Sequence, residues 1–334
     1  MTSIDASCYL VQFQLRFSPS LASKPTGPPK PKPVDAEAPG TSLTSNATQA
    51  FNPFENPHPS LLVTSLPPPE VHSQLSEKPS AGHNLVLNKF AVVPGHVILA
   101  TTDFRPQTHL LEPADLSAAY HCIETYKAQE EDLFVFFNSG PHSGASQPHR
   151  HLQLLPVDGM RDGLEGPDSR WGVLAERLLD EKIARQLPFR TFVERINSLM
   201  TADELHAVYR TLYRQARASL DDQSSGTSHQ PSNTSPPQEG SRDETDDEIH
   251  TLGEARISYN LAMTANVLAI CPRLAEGAAI RSPAAGELGS VSLNGTVLAG
   301  TALVKRAEEW EALRAAPYLL EDALGRIGVP IQAS

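Results

Sequence analysis

Gln147-Pro148-His149-Arg150-His151-Leu152-Gln153-Leu154-Leu155-Pro156 is the stretch whose reading decides the fold. It follows Asn138-Ser139-Gly140-Pro141-His142-Ser143-Gly144-Ala145-Ser146, a run rich in turn formers, which itself follows the apolar run Leu133-Phe134-Val135-Phe136-Phe137. The apolar run predicts a buried strand. The histidine stretch predicts a second one, with His149, His151, Gln153 and Leu155 on one face, because strand side chains alternate with period 2. Imidazole, with an unperturbed pKa of about 6.5, is largely neutral and nucleophilic near neutral pH. The small residues of the loop expose backbone N–H groups able to cradle a phosphate. A nucleophile beside an anion cradle is the layout that nucleotidyl transfer through a histidine requires.

A His-x-His pair can also be two metal ligands, but such a site wants a third and a fourth. Cys8, Cys122 and Cys271 show no Cys-x-x-Cys spacing, which disfavours thiolate zinc and suits a reducing compartment better than a disulfide framework. The 334 residues carry a formal charge of −12, which argues against general binding to nucleic-acid backbones. Only the cleft of a nucleotide enzyme needs positive charge. No apolar run is long enough to span a membrane, and Met1–Cys8 lacks the basic and apolar regions of a secretory signal. The expectation is a soluble cytoplasmic protein, with the nucleus a second candidate compartment.

Residues 1–82 read as an N-terminal motif plus a proline-rich extended segment: thirteen of the 29 prolines lie between Pro25 and Pro79, so that stretch is expected to run along the surface, neither regular helix nor central sheet. Asn52-Pro53-Phe54 is the place where an aromatic ring could pin it. Residues 83–220 read as a catalytic half: strands at Asn84–Phe90 and His96–Thr101, a helix from Pro113 to Gln129, the two strands above, a helix over Asp168–Gln186, and a third opened by the capping box Thr201-Ala202-Asp203-Glu204 and running to Ser219. Asp221–Glu248 is too polar to offset ordering entropy, so 221–250 is expected to be a disordered insertion. Residues 251–334 complete the domain with strands at Ile257–Met263, Val267–Cys271 and Thr296–Val304 and helices at Glu308–Arg314 and Pro317–Ile327. Helices and strands interleave without strict alternation, which predicts an α+β fold with an antiparallel sheet.

His149-Arg150-His151-Leu152-Gln153 resembles the histidine-triad superfamily in its transferase form, where glutamine replaces the third histidine. With Phe137–Ser146 ahead of it, the motif is similar to the fungal diadenosine tetraphosphate phosphorylases, or ATP adenylyltransferases. Ser18-Pro19-Ser20-Leu21-Ala22-Ser23-Lys24-Pro25, Leu87–His96, Ser258–Thr264 and Asn294–Gly300 through Lys305 resemble further family motifs in the same order. The resemblance implies a fold like that of the histidine-triad and galactose-1-phosphate uridylyltransferase proteins. It implies His151 as nucleophile on the α-phosphorus, His149 in support and Gln153 binding a phosphate oxygen. An amide does not titrate near neutral pH, so Gln153 should leave the adduct less open to hydrolysis and favour transfer to phosphate. Asn138, Gly144, Ala145, Ser146 and Gln147 would donate to phosphate oxygens. Lys24, Lys89 and Lys305 would supply charge for the polyphosphate, and Asn88, Asn294, Gly295 and Thr296 are carried over as substrate-binding. The implied activity is reversible conversion of diadenosine tetraphosphate and phosphate to ATP and ADP, with adenylyl sulfate chemistry an open addition. No organic cofactor is implied and no protein metal site; a divalent cation (Mg2+) would come with the substrate phosphates. The partners are these small molecules, and the chain would be a monomer or a dimer. One departure stands out: relatives carry a helical region before the lysine motif, and Met1–Tyr9 is too short for it.

Two other readings compete. A hexose-1-phosphate uridylyltransferase shares the His-x-His-x-Gln core, but normally carries proline where Arg150 stands, and no thiol-rich metal motif lies upstream. A catalytically silent nucleotide-binding or scaffold protein would use the proline-rich and acidic segments for partners, and intact His149, His151 and Gln153 argue against it.

Overall fold

Two strands, β1 (Ser3–Cys8) and β2 (Val11–Phe17), open the computed structural model, which describes residues 3–8, 11–19, 52–67, 81–164, 171–225, 253–282 and 286–331. Then come β3 (Leu62–Leu66), β4 (His83–Leu87), β5 (Val97–Thr101), helix α1 (Pro113–Lys127), β6 (Leu133–Ser139) and β7 (His151–Pro156). Short helices α2 (Val157–Arg161), α3 (Leu174–Arg177) and α4 (Glu181–Ala184) lead to β8 (Phe192–Arg195) and the long α5 (Ala202–Ser225). The C-terminal part holds β9 (Tyr259–Met263), β10 (Val267–Pro272), β11 (Gly277–Ser282), β12 (Gly286–Ser292), β13 (Thr301–Val304), α6 (Ala307–Ala315) and α7 (Tyr318–Ile327).

Eight strands form one antiparallel sheet in the order β3-β4-β5-β7-β6-β9-β10-β8, which confirms the α+β expectation and seats the histidine strand between β5 and β6. Period-2 alternation divides its side chains between two cores. Leu133, Val135 and Phe137 of β6 and Leu152 and Leu154 of β7 pack under α1 and α5, against Leu116, Ile123, Leu205 and Leu212. Each fully buried side chain of this size stabilises the fold by about 1.5–3 kcal/mol. Phe134 and Phe136 face the other way, into a core with Leu15, Leu174, Ala302 and Leu313. That second core belongs to the small β1-β2-β13 sheet, the β11-β12 hairpin and the helices α3, α6 and α7. It covers the β6-β9-β10 side of the face, while Phe54, Val86 and Ala100 cover the β4-β5 side. His151 and Gln153 of β7 emerge between these two covers, while Leu155 packs into the larger core.

The capping box is formed: Thr201 N–H donates to Glu204 Oε2 at 2.7 Å and Glu204 N–H to Thr201 Oγ1 at 3.2 Å. The helix it opens runs six residues beyond the expected Ser219, so 221–225, expected to be disordered, continue α5; the rest of the acidic stretch lies outside the described residues. The expected helix over Asp168–Gln186 is instead two short ones, because Asp180 accepts from Lys182 N–H and caps a new turn. The expected strand Thr296–Val304 is a 3-10 turn, Gly295–Ala299, followed by β13, since Gly300 with φ 71° breaks the extended run. The described residues before Ser18 form strands, not the helical region expected to be missing here. No described helix is long and apolar enough to cross a membrane.

Candidate active site

The loop from β6 to β7 is held by a buried polar network below it. Asn138 ends the inward row of β6, and its Oδ1 accepts from Asn260 Nδ2 at 2.8 Å and from Gly295 N–H at 2.9 Å. Asn260 also donates to the Ser143 carbonyl at 2.9 Å, and its own Oδ1 accepts from Arg273. Arg273 is buried, and its Nη2 reaches the Leu293 carbonyl at 3.0 Å. Burial pushes its pKa down, partly opposed by Cys271 and Glu276. Two positions need glycine. At Gly144, with φ +80°, a Cβ would sit 2.8 Å from Asn294 Cβ; at Gly295 it would sit 2.6 Å from the Phe136 ring. Asn294 caps the following turn by accepting from Thr296 N–H at 3.0 Å. The N–H groups of Gly144, Ala145, Ser146 and Gln147 make no hydrogen bond among the described residues, so they remain available to an anion.

His151 opens β7 and is buried. Its Nδ1 lies 2.8 Å from the His149 carbonyl. A carbonyl only accepts, so the proton sits on Nδ1 and the lone pair on Nε2. Gln107 fixes the backbone around it: Oε1 accepts from His151 N–H at 2.8 Å, and Nε2 donates to the Asn138 carbonyl at 2.8 Å and to the His151 carbonyl at 3.2 Å. His149 lies just before the strand, bridged to Pro106. Its Nε2 donates toward the Thr101 carbonyl at 2.8 Å, and its Nδ1 accepts from Asn52 Nδ2 at 2.8 Å. Burial pushes its pKa down, against the Thr101 carbonyl, so the ring is held neutral. His149 therefore meets His151 through its carbonyl, while its imidazole is committed to the scaffold. Both rings touch Phe54, so the two imidazoles do share a side of the sheet.

Gln153 is half-buried on the same face as His151, between Ile98 of β5 and Phe136 of β6, and its side chain makes no hydrogen bond among the described residues. Arg150, between the histidines, points to the opposite face. It pairs with Asp115 at 2.8 Å and Glu112 at 2.9 Å at the start of α1, and Asp115 also meets His83 at 2.8 Å. Burial raises the Asp115 pKa, but the Arg150 charge and the His83 bond outweigh it and hold the carboxyl well below its usual range.

Residues 11–168 match the family described as Ap4A phosphorylase N-terminal domain, and residues 185–330 match ATP adenylyltransferase C-terminal domain. The chain belongs to the Ap4A phosphorylase and ATP adenylyltransferase family. Among its relatives is the diadenosine 5',5'''-P1,P4-tetraphosphate phosphorylase 2 of Saccharomyces cerevisiae, 29% identical over 334 residues that span 96% of this chain and 84% of the relative. A second yeast relative, protein APA1, is 29% identical over 261 residues, 74% of this chain and 69% of its own. The crystal structure of yeast Ap4A phosphorylase Apa2 superposes with a TM-score of 0.61 at 25% identity, covering 97% of this chain and 87% of that one. Its complex with Ap4A gives 0.62 at 24%, over 99% and 90%.

Not every residue assigned by family likeness converges on His151. Lys24 lies outside the described residues. Asn88 closes the β4–β5 turn, its Nδ2 3.1 Å from His96 Nδ1 and its Oδ1 accepting from Phe90 N–H at 2.9 Å; Lys89 beside it is exposed over the Phe90 ring. Lys305 follows β13, whose parallel pairing with β2 brings it beside Ser18 at the head of the lysine motif. Thr296 lends its hydroxyl to Asn294 and to the Thr301 carbonyl. Reading the family motifs missed the roles of Gln107, Thr101, Asn260 and Arg273. Of these only Asn260 lay inside a quoted motif.

Proposed function

We propose that this protein is a nucleotidyltransferase that splits diadenosine tetraphosphate with phosphate, reversibly, into ATP and ADP through a covalent histidyl-AMP. The observation that carries the reading is the 2.8 Å bond from His151 Nδ1 to the His149 carbonyl, which directs the Nε2 lone pair to attack. Attack on the α-phosphorus expels ATP. Phosphate then displaces AMP from the imidazole and leaves as the β-phosphate of ADP. The N–H groups of residues 144–147 suit the non-bridging oxygens on which charge develops. Gln153 can hold such an oxygen but cannot deprotonate a water, which favours phosphate as acceptor. Lys24, Lys89 and Lys305 supply charge for the polyphosphate. A divalent cation (Mg2+) would arrive on the substrate, held by phosphate oxygens and water.

Incubation with diadenosine tetraphosphate and radiolabelled inorganic phosphate tests this. Label should enter ADP, in step with ATP release. Formation of AMP and ATP with no label in ADP would make the protein a hydrolase, and no turnover at all would leave a binding protein.

A further inference from the structure

We propose that Phe54 is a positioning residue for the reaction, stabilising the adenylylated form of His151 through the face of its ring. The inference rests on His151 being the nucleophile of the proposed function. Phe54 belongs to no helix or strand, yet it is buried at 7% exposure. Its ring lies 5.0 Å from the His151 ring with the two planes tilted by 30°, and edge-on to His149 at 5.6 Å and 86°. Its backbone is fixed on both sides: the Phe54 carbonyl accepts from Asn84 Nδ2 at 3.1 Å, and Phe54 N–H donates to Asn52 Oδ1 at 3.1 Å. Asn52 in turn donates to His149 Nδ1. One short segment therefore holds both histidines.

The electron count gives this contact a purpose. In the first half-reaction Nε2 forms a bond to the α-phosphorus, the bond from phosphorus to the bridging oxygen breaks, and its electron pair leaves with ATP. Nδ1 keeps its proton, donating it to the His149 carbonyl, so the ring passes from neutral to cationic. A cation within about 6 Å of an aromatic centroid is attracted by the ring quadrupole, more strongly when desolvated. The Phe54 face thus binds the adduct better than the free imidazole.

The test replaces Phe54 with pentafluorophenylalanine, which keeps the ring but reverses its quadrupole, and with mono- and difluorophenylalanine as milder steps. Full-length protein is equilibrated with diadenosine tetraphosphate and ATP without phosphate, and the adduct fraction is read by intact mass. The equilibrium for adduct formation should fall stepwise with fluorination, by about tenfold in the pentafluoro variant, while Phe54→Tyr stays near wild type. Binding of diadenosine tetraphosphate in a His151→Ala background should not change. An adduct equilibrium indifferent to fluorination overturns the inference and leaves Phe54 a packing residue. Absence of adduct in the wild-type arm overturns the proposed function itself, and the inference with it.

Discussion

On the helix-covered face of the sheet, Arg150 meets two carboxylates and one of those meets a histidine, all of them buried or nearly so. On the other face, Gln153 has no hydrogen bond among the described residues, and neither do the four N–H groups of the loop that precedes His151. Groups that hold a fold are paired, because an unpaired buried polar group is costly. Groups that await a ligand must tolerate incomplete pairing. The contrast separates scaffold from chemistry along a single strand.

The scaffold side should break most visibly. Arg150→Met leaves Asp115 and Glu112 without their cation in a buried site, and should cost about 3–5 kcal/mol of stability. Thermal or urea denaturation checks it, and a variant as stable as wild type would mean the cluster is dispensable. Gln107→Leu removes three hydrogen bonds around the His151 backbone. It should cost about 1–3 kcal/mol and lower kcat more than it raises KM, measured by ATP release. The buried histidines give a pH signature. Burial lowers the folded-state pKa of His149 and of His206, so the unfolded chain takes up protons first as pH falls through about 6.5. Their contribution is complete above that value and is lost below it. The melting temperature should therefore decline from about pH 7.5 to about pH 5.5, and a rising profile would contradict the neutral assignment. The smallest effect on stability belongs to the open face: Gln153→His should change it by less than about 0.5 kcal/mol. It should still raise the ratio of AMP to ADP formed in the presence of phosphate, because it adds a titratable base beside the adduct.

What could be read in the chain follows from how local each signal is. The β6-loop-β7 unit was legible because its alternation, its turn residues and its histidines lie within one short stretch. In β2 the row Val11, Phe13 and Leu15 faces the core, while Gln14 and Arg16 of the opposite row are buried as well and donate to the Met160 carbonyl. Its strict alternation of apolar and polar residues is the period-2 signal of a strand and is legible in the chain. The apolar spacing in 168–186 was real, since Trp171, Leu174 and Leu178 are buried, but the cap at Asp180 ended the helix that the spacing suggested. Gln107 left no local signal, since it acts on partners 31 and 44 residues away. The ring of Phe54 was visible as an anchor in a proline-rich segment, but not its place against His151, which depends on tertiary packing.

The central claim is that His151 Nε2 carries the nucleotide. Diadenosine tetraphosphate labelled at the α-phosphate, given to the protein without free phosphate, should leave label on the chain that is labile in acid and comparatively stable in base. Added phosphate should chase it into ADP, and His151→Ala should abolish both labelling and turnover while the protein still folds. Acid-labile label persisting in a folded His151→Ala variant would contradict the account and move the nucleophile elsewhere.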